Sequence, residues 1–255
     1  LRSAGSRVEF ARSAHWVLVL PGPRCDPGET LGLPTGNTTR GHRFHSSGSI
    51  ALKRPEDYRE ALANAKVVAS FEQRRAMIRD QVEVEASAIR ATAVMDEDLL
   101  DEVAGLVEWP VALTGSFEAR FLEVPAEALV SSMKAHQKYF HLVDAQGKLM
   151  PNFITIANIE SKDPVQVIAG NERVIRPRLS DAAFFFDTDR KTPLEQRVAR
   201  LDSVVFQQQL GTLLDKTHRV MRVAAGLAER MGTAAAPAER AALLSKADLL
   251  TEMVV

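Results

Sequence analysis

The sequence predicts an α+β protein in which a mixed first part, to about residue 165, is followed by a helical second part. Three observations carry this. Apolar residues recur at helical spacing over 68–89, whereas 140–157 reads as two strands flanking the turn "DAQG". Beyond residue 163 the helix-start signals Asp163-Pro164 and Thr192-Pro193 dominate, and strand signals stop. The expected organisation is 1–165 mixed, 166–192 connecting helices, and 193–255 the beginning of a helical domain.

Taken in order, "RVEFARSAHWVLVL" alternates and then runs apolar, as a strand entering a sheet would, and "LPGPRCDPGETLGLPTGNTTRG" is dense in turn residues. A single long amphipathic helix is expected from Pro55 onward, with Val68, Phe71, Ile78, Val82 and Ile89 inward. "DEDLLDEVAGLVEWP" predicts a second helix with Asp96 as N-cap and Leu99, Val103 and Leu106 inward, stopped by Pro110. A strand at "VALTGSF", a short helix opened by Pro125 and a β-hairpin from "KYFHLV" and "LMPNFITIAN" follow.

Asp163, Pro164 and Gln166 form a capping box in sequence, and Thr192, Pro193 and Glu195 repeat it ahead of a stripe of Leu194, Val198, Leu201 and Val205. From there the chain is expected to be wholly helical, with Gly232 ending one helix and Pro237 opening the last. Between the boxes, "NERVIRPRLSDAAFFFDTDR" reads as a helix begun at Pro177, with Leu179, Ala183 and Phe186 on one face. A helix turns about 100° per residue, so Phe184, Phe185 and Phe186 sweep about 200°. They are therefore expected to be buried on two sides, at a seam between the two parts. Arg173, Arg176 and Arg178 either pair with Glu172, Asp181 or Asp187 or reach an external anion.

The 255 residues are 45% hydrophobic and 25% charged with net charge −1, which excludes a global polycation but not local basic faces. The first stretch is locally basic, from Arg2 to Arg54. Cys25 is alone, which excludes an internal disulfide and fits a reducing compartment. No apolar run reaches the roughly 20 residues of a membrane span, so a soluble, cytoplasmic protein without a membrane partner is expected. The chain opens on Leu1 and stops in "KADLLTEMVV" without a helix stop, so a piece of a longer polypeptide is expected.

The sequence carries few residues in patterns that chemistry needs. There is no phosphate-cradling glycine loop of the P-loop or dinucleotide type. His42 and His45 are three apart with no third ligand near, and His136 and His141 flank a helix-to-strand change; no metal site is assigned. The helical part invites comparison with HD-type metal-dependent phosphohydrolases. His218 could begin such a site, but no His-Asp dipeptide occurs, and "LLSKADLL" offers Lys246 and Asp248, of which the ammonium would repel a metal. No catalytic residue emerges.

The stretches "TRGHRF" at 39–44, "LVEWPVALTGSFEARFLEVPAEALVSSMKAHQKYF" at 106–140, "PNFITIANIESKDP" at 151–164, "GNERVIRPRLSDAAFFFDTD" at 170–189, "QQQLGTLLDKTHRV" and "LLSKADLLTEMV" together resemble the β subunit of bacterial α2β2 glycyl-tRNA synthetase. They lie in order and cover most of the chain from residue 39 onward. Ser13 departs from the family's usual proline, and 21–38 from its usual strand-turn-strand. The resemblance implies an interior piece of that subunit. Its parts would be a domain similar to the B3/4 domain of phenylalanyl-tRNA synthetase and the start of an HD-like domain. It further implies that glycine, ATP and Mg are handled by the partner α subunit, that no cofactor is bound here, and that tRNA(Gly) is held and positioned.

For RNA contact, Lys216, Arg219 and Arg222 are the first candidates, because they project along adjacent helix faces without a matching acidic stripe; Arg176 and Arg178 are the second. The rival readings are an HD-type phosphohydrolase and an architectural module that docks the partner subunit.

Overall fold

A computed structural model of the chain describes residues 15–22, 28–30 and 32–254. Cys25, Ser13 and the basic residues Arg2, Arg7, Arg12 and Arg24 lie outside them. The strands are β1 (Val17–Leu18), β2 (Glu29–Thr30), β3 (Leu33–Gly36), β4 (Thr38–Thr39), β5 (Ile50–Ala51), β6 (Thr92–Ala93), β7 (Val111–Ser116), β8 (Phe140–Val143), β9 (Leu149–Ala157), β10 (Val205–Gln207) and β11 (Gly211–Thr212). The α-helices are α1 (Tyr58–Asn64), α2 (Phe71–Ala88), α3 (Glu97–Leu106), α4 (Ala126–Ser131), α5 (Pro164–Arg190), α6 (Leu194–Arg197), α7 (Leu213–Arg230) and α8 (Ala235–Leu244). Both element types are present, as an α+β protein requires. Two compact units result: Leu1–Leu122 with Val130–Ile175, and Glu123–Leu129 with Arg176–Val255. The division falls inside α5.

The first unit is built on a four-stranded antiparallel sheet in the order β6-β8-β9-β7. Its hairpin β8–β9 turns at Asp144–Gly147, where Gly147 takes φ +77°, as a turn glycine does. Helices α2 and α3 cover one face, burying Ile78, Val82, Leu99, Leu100 and Val103 against Phe140, Leu142 and Ile154. Across the ladder Gly115 lies opposite Phe153, and a Cβ there would meet that ring at 2.5 Å, so only glycine fits. Phe153 in turn stacks on Tyr139 with centroids 4.4 Å apart, and the Tyr139 hydroxyl donates to Asn171 Oδ1 at 2.7 Å.

Two helix starts obey their sequence signals. Asp96 accepts the Leu99 N–H at 3.0 Å, and Asp163 accepts that of Gln166 at 3.4 Å. Other expectations need correction. The long helix from Pro55 is two helices: the chain breaks at Lys66, which takes φ +59°, and restarts at the N-cap Ser70. Val68 is buried between them as loop, and Arg74 ties the break by donating to the carbonyls of Val68, Ala69 and Ala104. Leu106 and Ile89 stand at helix ends and are exposed. Within the loop-rich 21–38 stretch, β3 runs parallel to β1 and antiparallel to β2.

Helix α5, which spans the division between the units, continues unbroken through Pro177, which therefore does not open a helix. The buried stripe is Ile175, Leu179 and Ala182, with Phe186 half-buried. Phe184 lies nine residues from Ile175, about 180° around the helix, and is 64% exposed; Phe185 is 36% exposed. The buried-seam expectation fails for both rings. The region after residue 193 is not wholly helical either: α6 is four residues long, a 3-10 turn spans Val198–Ser203, and β10 and β11 form a hairpin. Val198 and Leu201 are buried with Ala247 against Leu213, Leu214 and Leu243, but Leu194 and Val205 face solvent. Gly232, with φ +70°, ends α7 as expected, while α8 begins two residues before Pro237.

Candidate nucleic-acid interface

Helix α7 begins at a reciprocal cap. Thr212 Oγ1 accepts the Asp215 N–H at 3.2 Å, and the Asp215 carboxylate accepts the Thr212 N–H at 2.9 Å. The Thr212 N–H and the Thr212 hydroxyl, which also donates to the carboxylate at 3.2 Å, hold the Asp215 carboxyl below its ordinary range, with smaller help from Arg219 and His218. The one carboxylate in the first turn is thus committed to the cap.

Lys216, Arg219 and Arg222 follow at steps of three, so each is rotated by about 60° from the last and the three make a slanting ridge. Lys216 and Arg219 are partly exposed and Arg222 is exposed. The Lys216 ammonium lies over the Phe206 ring, 3.9 Å from its centroid. That ring comes from β10, the hairpin that the sequence reading had as helix, so the contact was not legible in the sequence. It fixes the ammonium without neutralising it. Arg222 has no ion pair among the described residues, and Arg219 feels Asp215 one turn away. Beside the ridge Val220, Val223, Leu227 and Met231 are exposed.

Arg176 and Arg178 lie on α5, both exposed, on either side of Pro177. Arg178 has no ion pair among the described residues, whereas Arg176 has a partner. Asp187 and Asp181 form no ion pair with Arg178, and Glu172 turns the other way, accepting from the Ser116 N–H at 2.9 Å and hydroxyl at 2.8 Å. The five cations therefore occupy two helices: three form one ridge on α7, and two lie on α5 about 200° apart around its axis.

Of the positions weighed for metal chemistry, His42 and His45 are engaged in hydrogen bonds, whereas His136 and His218 are exposed. His42 is buried, with Nε2 2.7 Å from the Asn158 carbonyl oxygen and Nδ1 accepting the Phe44 N–H at 3.2 Å. His45 Nε2 accepts the Glu160 N–H at 3.0 Å. Burial pushes the His141 imidazole below its ordinary value. Lys246 and Asp248 are exposed around the last 3-10 turn, and no group of three His, Cys, Asp or Glu fit for a metal exists among the described residues. No helix among them is long and apolar enough to cross a membrane.

The sequence reading also missed a buried charge pair. Arg197 on α6 donates to the Asp189 carboxylate at 2.9 Å and to the Leu250 carbonyl at 2.9 Å. Asp189 further accepts the N–H groups of Glu252 and Met253. A run of charged residues such as "DTDRKTPLEQR" gives no sign of which member turns inward.

The model of the family described as glycyl-tRNA synthetase beta subunit matches residues 1–255. A protein of Chromohalobacter salexigens named glycine–tRNA ligase beta subunit is 60% identical over 255 residues, all of this chain and 37% of its own length. Proteins of the same name from Hahella chejuensis and Stutzerimonas stutzeri are 57% and 54% identical, again over all of this chain and 37% of theirs. The chain thus spans little more than a third of the length of these relatives. With a model match from first residue to last, the chain belongs to the glycyl-tRNA synthetase β-subunit family.

Proposed function

We propose that this chain is the tRNA-handling interior of a glycine–tRNA ligase, an aminoacyl-tRNA synthetase, and that its contribution is to hold tRNA(Gly) while a partner α subunit attaches glycine. The observation that carries this is the α7 ridge: three cations at steps of three, with the only first-turn carboxylate tied into the helix cap. In that arrangement Lys216, Arg219 and Arg222 meet successive phosphates of the RNA backbone, which supplies affinity and orientation but little base reading. The Phe206 ring limits the rotamers of Lys216, which lowers the entropy lost on contact. Arg178, with Arg176, offers a second set of phosphate contacts from α5. The first unit corresponds in this reading to a B3/4-like domain and the second to the start of an HD-like domain.

ATP and Mg act at the partner, and no residue here is assigned to activating glycine. The phosphohydrolase alternative has no support at Lys246 and Asp248, which hold a cation where a metal would sit. The test is glycine-dependent pyrophosphate exchange and tRNA(Gly) glycylation with purified components. The 255-residue chain alone is expected to be inactive in exchange, and glycylation by the full complex is expected to weaken when the α7 cations are replaced. Exchange by the chain alone would overturn the division of labour.

A further inference from the structure

The turn after β4, "TRGHRFH" at 39–45, is fixed from beneath. Both imidazoles point inward: His42 is buried on the Asn158 carbonyl, and His45 accepts from the Glu160 backbone. Gly41 lies so close to the next loop that a Cβ would come within 2.4 Å of Ala65 Cβ and 2.7 Å of Ser46 Cβ. With these residues turned in, Arg40, Arg43 and Phe44 are turned out, and Phe44 is 75% exposed. No carboxylate pairs with Arg40 or Arg43 among the described residues.

Across from them stands Trp16, 44% exposed, with its indole N–H held at 3.2 Å by the buried Thr39 hydroxyl. A cleft of about 690 Å³ opens between Trp16, Arg40, Arg43 and Ser49, and no acidic side chain among the described residues lines it. On the far side of Arg43 a second cleft of about 610 Å³ is walled by Phe44 and Tyr58. Glu108 borders that second cleft, so the phosphate contacts belong to the first. Trp16, beside β1, thus faces the two guanidiniums of the turn, and Phe44 follows them on the turn's other side. A closed apolar pocket would suit a buried small molecule; two open clefts sharing an arginine wall suit a strand that passes over it.

We propose that this turn is a binding site for unpaired RNA, with one base stacked on Trp16, the base two nucleotides along stacked on Phe44, and the two intervening phosphates on Arg40 and Arg43. A base inside a duplex has no free face, so the site selects single-stranded nucleotides. The proposal deepens the tRNA-handling reading and rests on it for the source of the strand, but the site lies in the first unit, apart from the α7 cations.

The test is equilibrium binding of a labelled single-stranded RNA oligonucleotide to the full-length polypeptide, over a range of salt. Arg40→Ala with Arg43→Ala is expected to weaken binding at least about tenfold and to reduce the slope of log affinity against log salt by about 1.4, for two single-strand phosphates. Phe44→Leu is expected to cost about tenfold and Phe44→Trp to retain affinity, since stacking needs only an aromatic face. Unchanged affinity and slope in the double arginine variant would overturn the site. So would AMP competing as strongly as the strand, which marks a free-nucleotide pocket, or an acidic peptide losing affinity in that variant while RNA does not. If Lys216→Ala and Arg219→Ala weaken tRNA while the turn variants leave the oligonucleotide untouched, this proposal fails and the tRNA-handling reading stands; the opposite pattern leaves the turn standing without α7.

Discussion

Arg197 and Asp189 form a 2.9 Å ion pair whose side chains are 5% and 11% exposed. Each is also satisfied by backbone: Arg197 by the carbonyls of Asp189 and Leu250, Asp189 by the N–H groups of Glu252 and Met253. The pair thereby pins the end of the described chain to the end of α5. Removing one partner leaves a buried charge without compensation. Asp189→Ala or Arg197→Ala is therefore expected to cost about 3–5 kcal/mol, measured by urea denaturation of the chain. A cost below about 1 kcal/mol would mean that the pair is wet and the pinning weak.

The Gly115–Phe153 contact makes a second stability prediction. Gly115→Ala places a methyl 2.5 Å from the ring in a strand pair that cannot move aside, and overpacking of this kind costs about 1–3 kcal/mol. Phe153→Leu should cost stability alone yet recover part of the Gly115→Ala loss when combined. Strict additivity in the double variant would show that the two sites do not touch.

The phenylalanine run yields a contrast. Phe184→Ala, at a ring 64% exposed, is expected to change stability of the 255-residue chain by no more than about 0.5 kcal/mol. Ile175→Ala and Leu179→Ala, both fully buried on α5, should cost about 2–5 kcal/mol. Equal losses at all three positions would contradict the stripe assignment.

Acid should act at two groups on the first unit. Burial pushes His141 below its ordinary 6.5, and the hydrogen bond from Lys134, aided by the Leu99 N–H, holds Asp96 below its ordinary 3.8. Both values are depressed in the folded state, so the unfolded chain binds more protons as pH falls past each ordinary value. The His141 contribution is complete above pH 6.5 and is lost as pH falls from there through its folded value. Asp96 adds a second loss below 3.8. Denaturation of His141→Gln should show a flatter dependence on pH below about 6.5 than the unmodified chain. Identical curves would mean that His141 is solvated.

Much of this was readable where local chemistry decides. The caps at Asp96 and Asp163, the β8–β9 hairpin and the glycine that ends α7 each follow from one or two residues obeying local rules. What failed depended on tertiary context. The helix through Pro177 persists because Ile175 and Leu179 are both buried, outweighing the lost backbone bond at proline. The break at Lys66 is sealed by Arg74 on carbonyls more than one turn away. The run of three phenylalanines suggested burial on two sides, but helix phase gives the core only Phe186. On α7 the candidate cations were legible as a pattern of three steps, whereas the Phe206 ring under Lys216 comes from a hairpin that no periodicity announced.

The central claim is that α7 presents its cations to RNA phosphates, and the most direct test is titration of tRNA(Gly) against the full-length polypeptide at several salt concentrations. Lys216→Ala, Arg219→Ala and Arg222→Ala should each weaken binding and reduce the slope of log affinity against log salt by about 1, with thermal stability unchanged. A triple variant that keeps both the affinity and the slope of the unmodified protein would contradict the account.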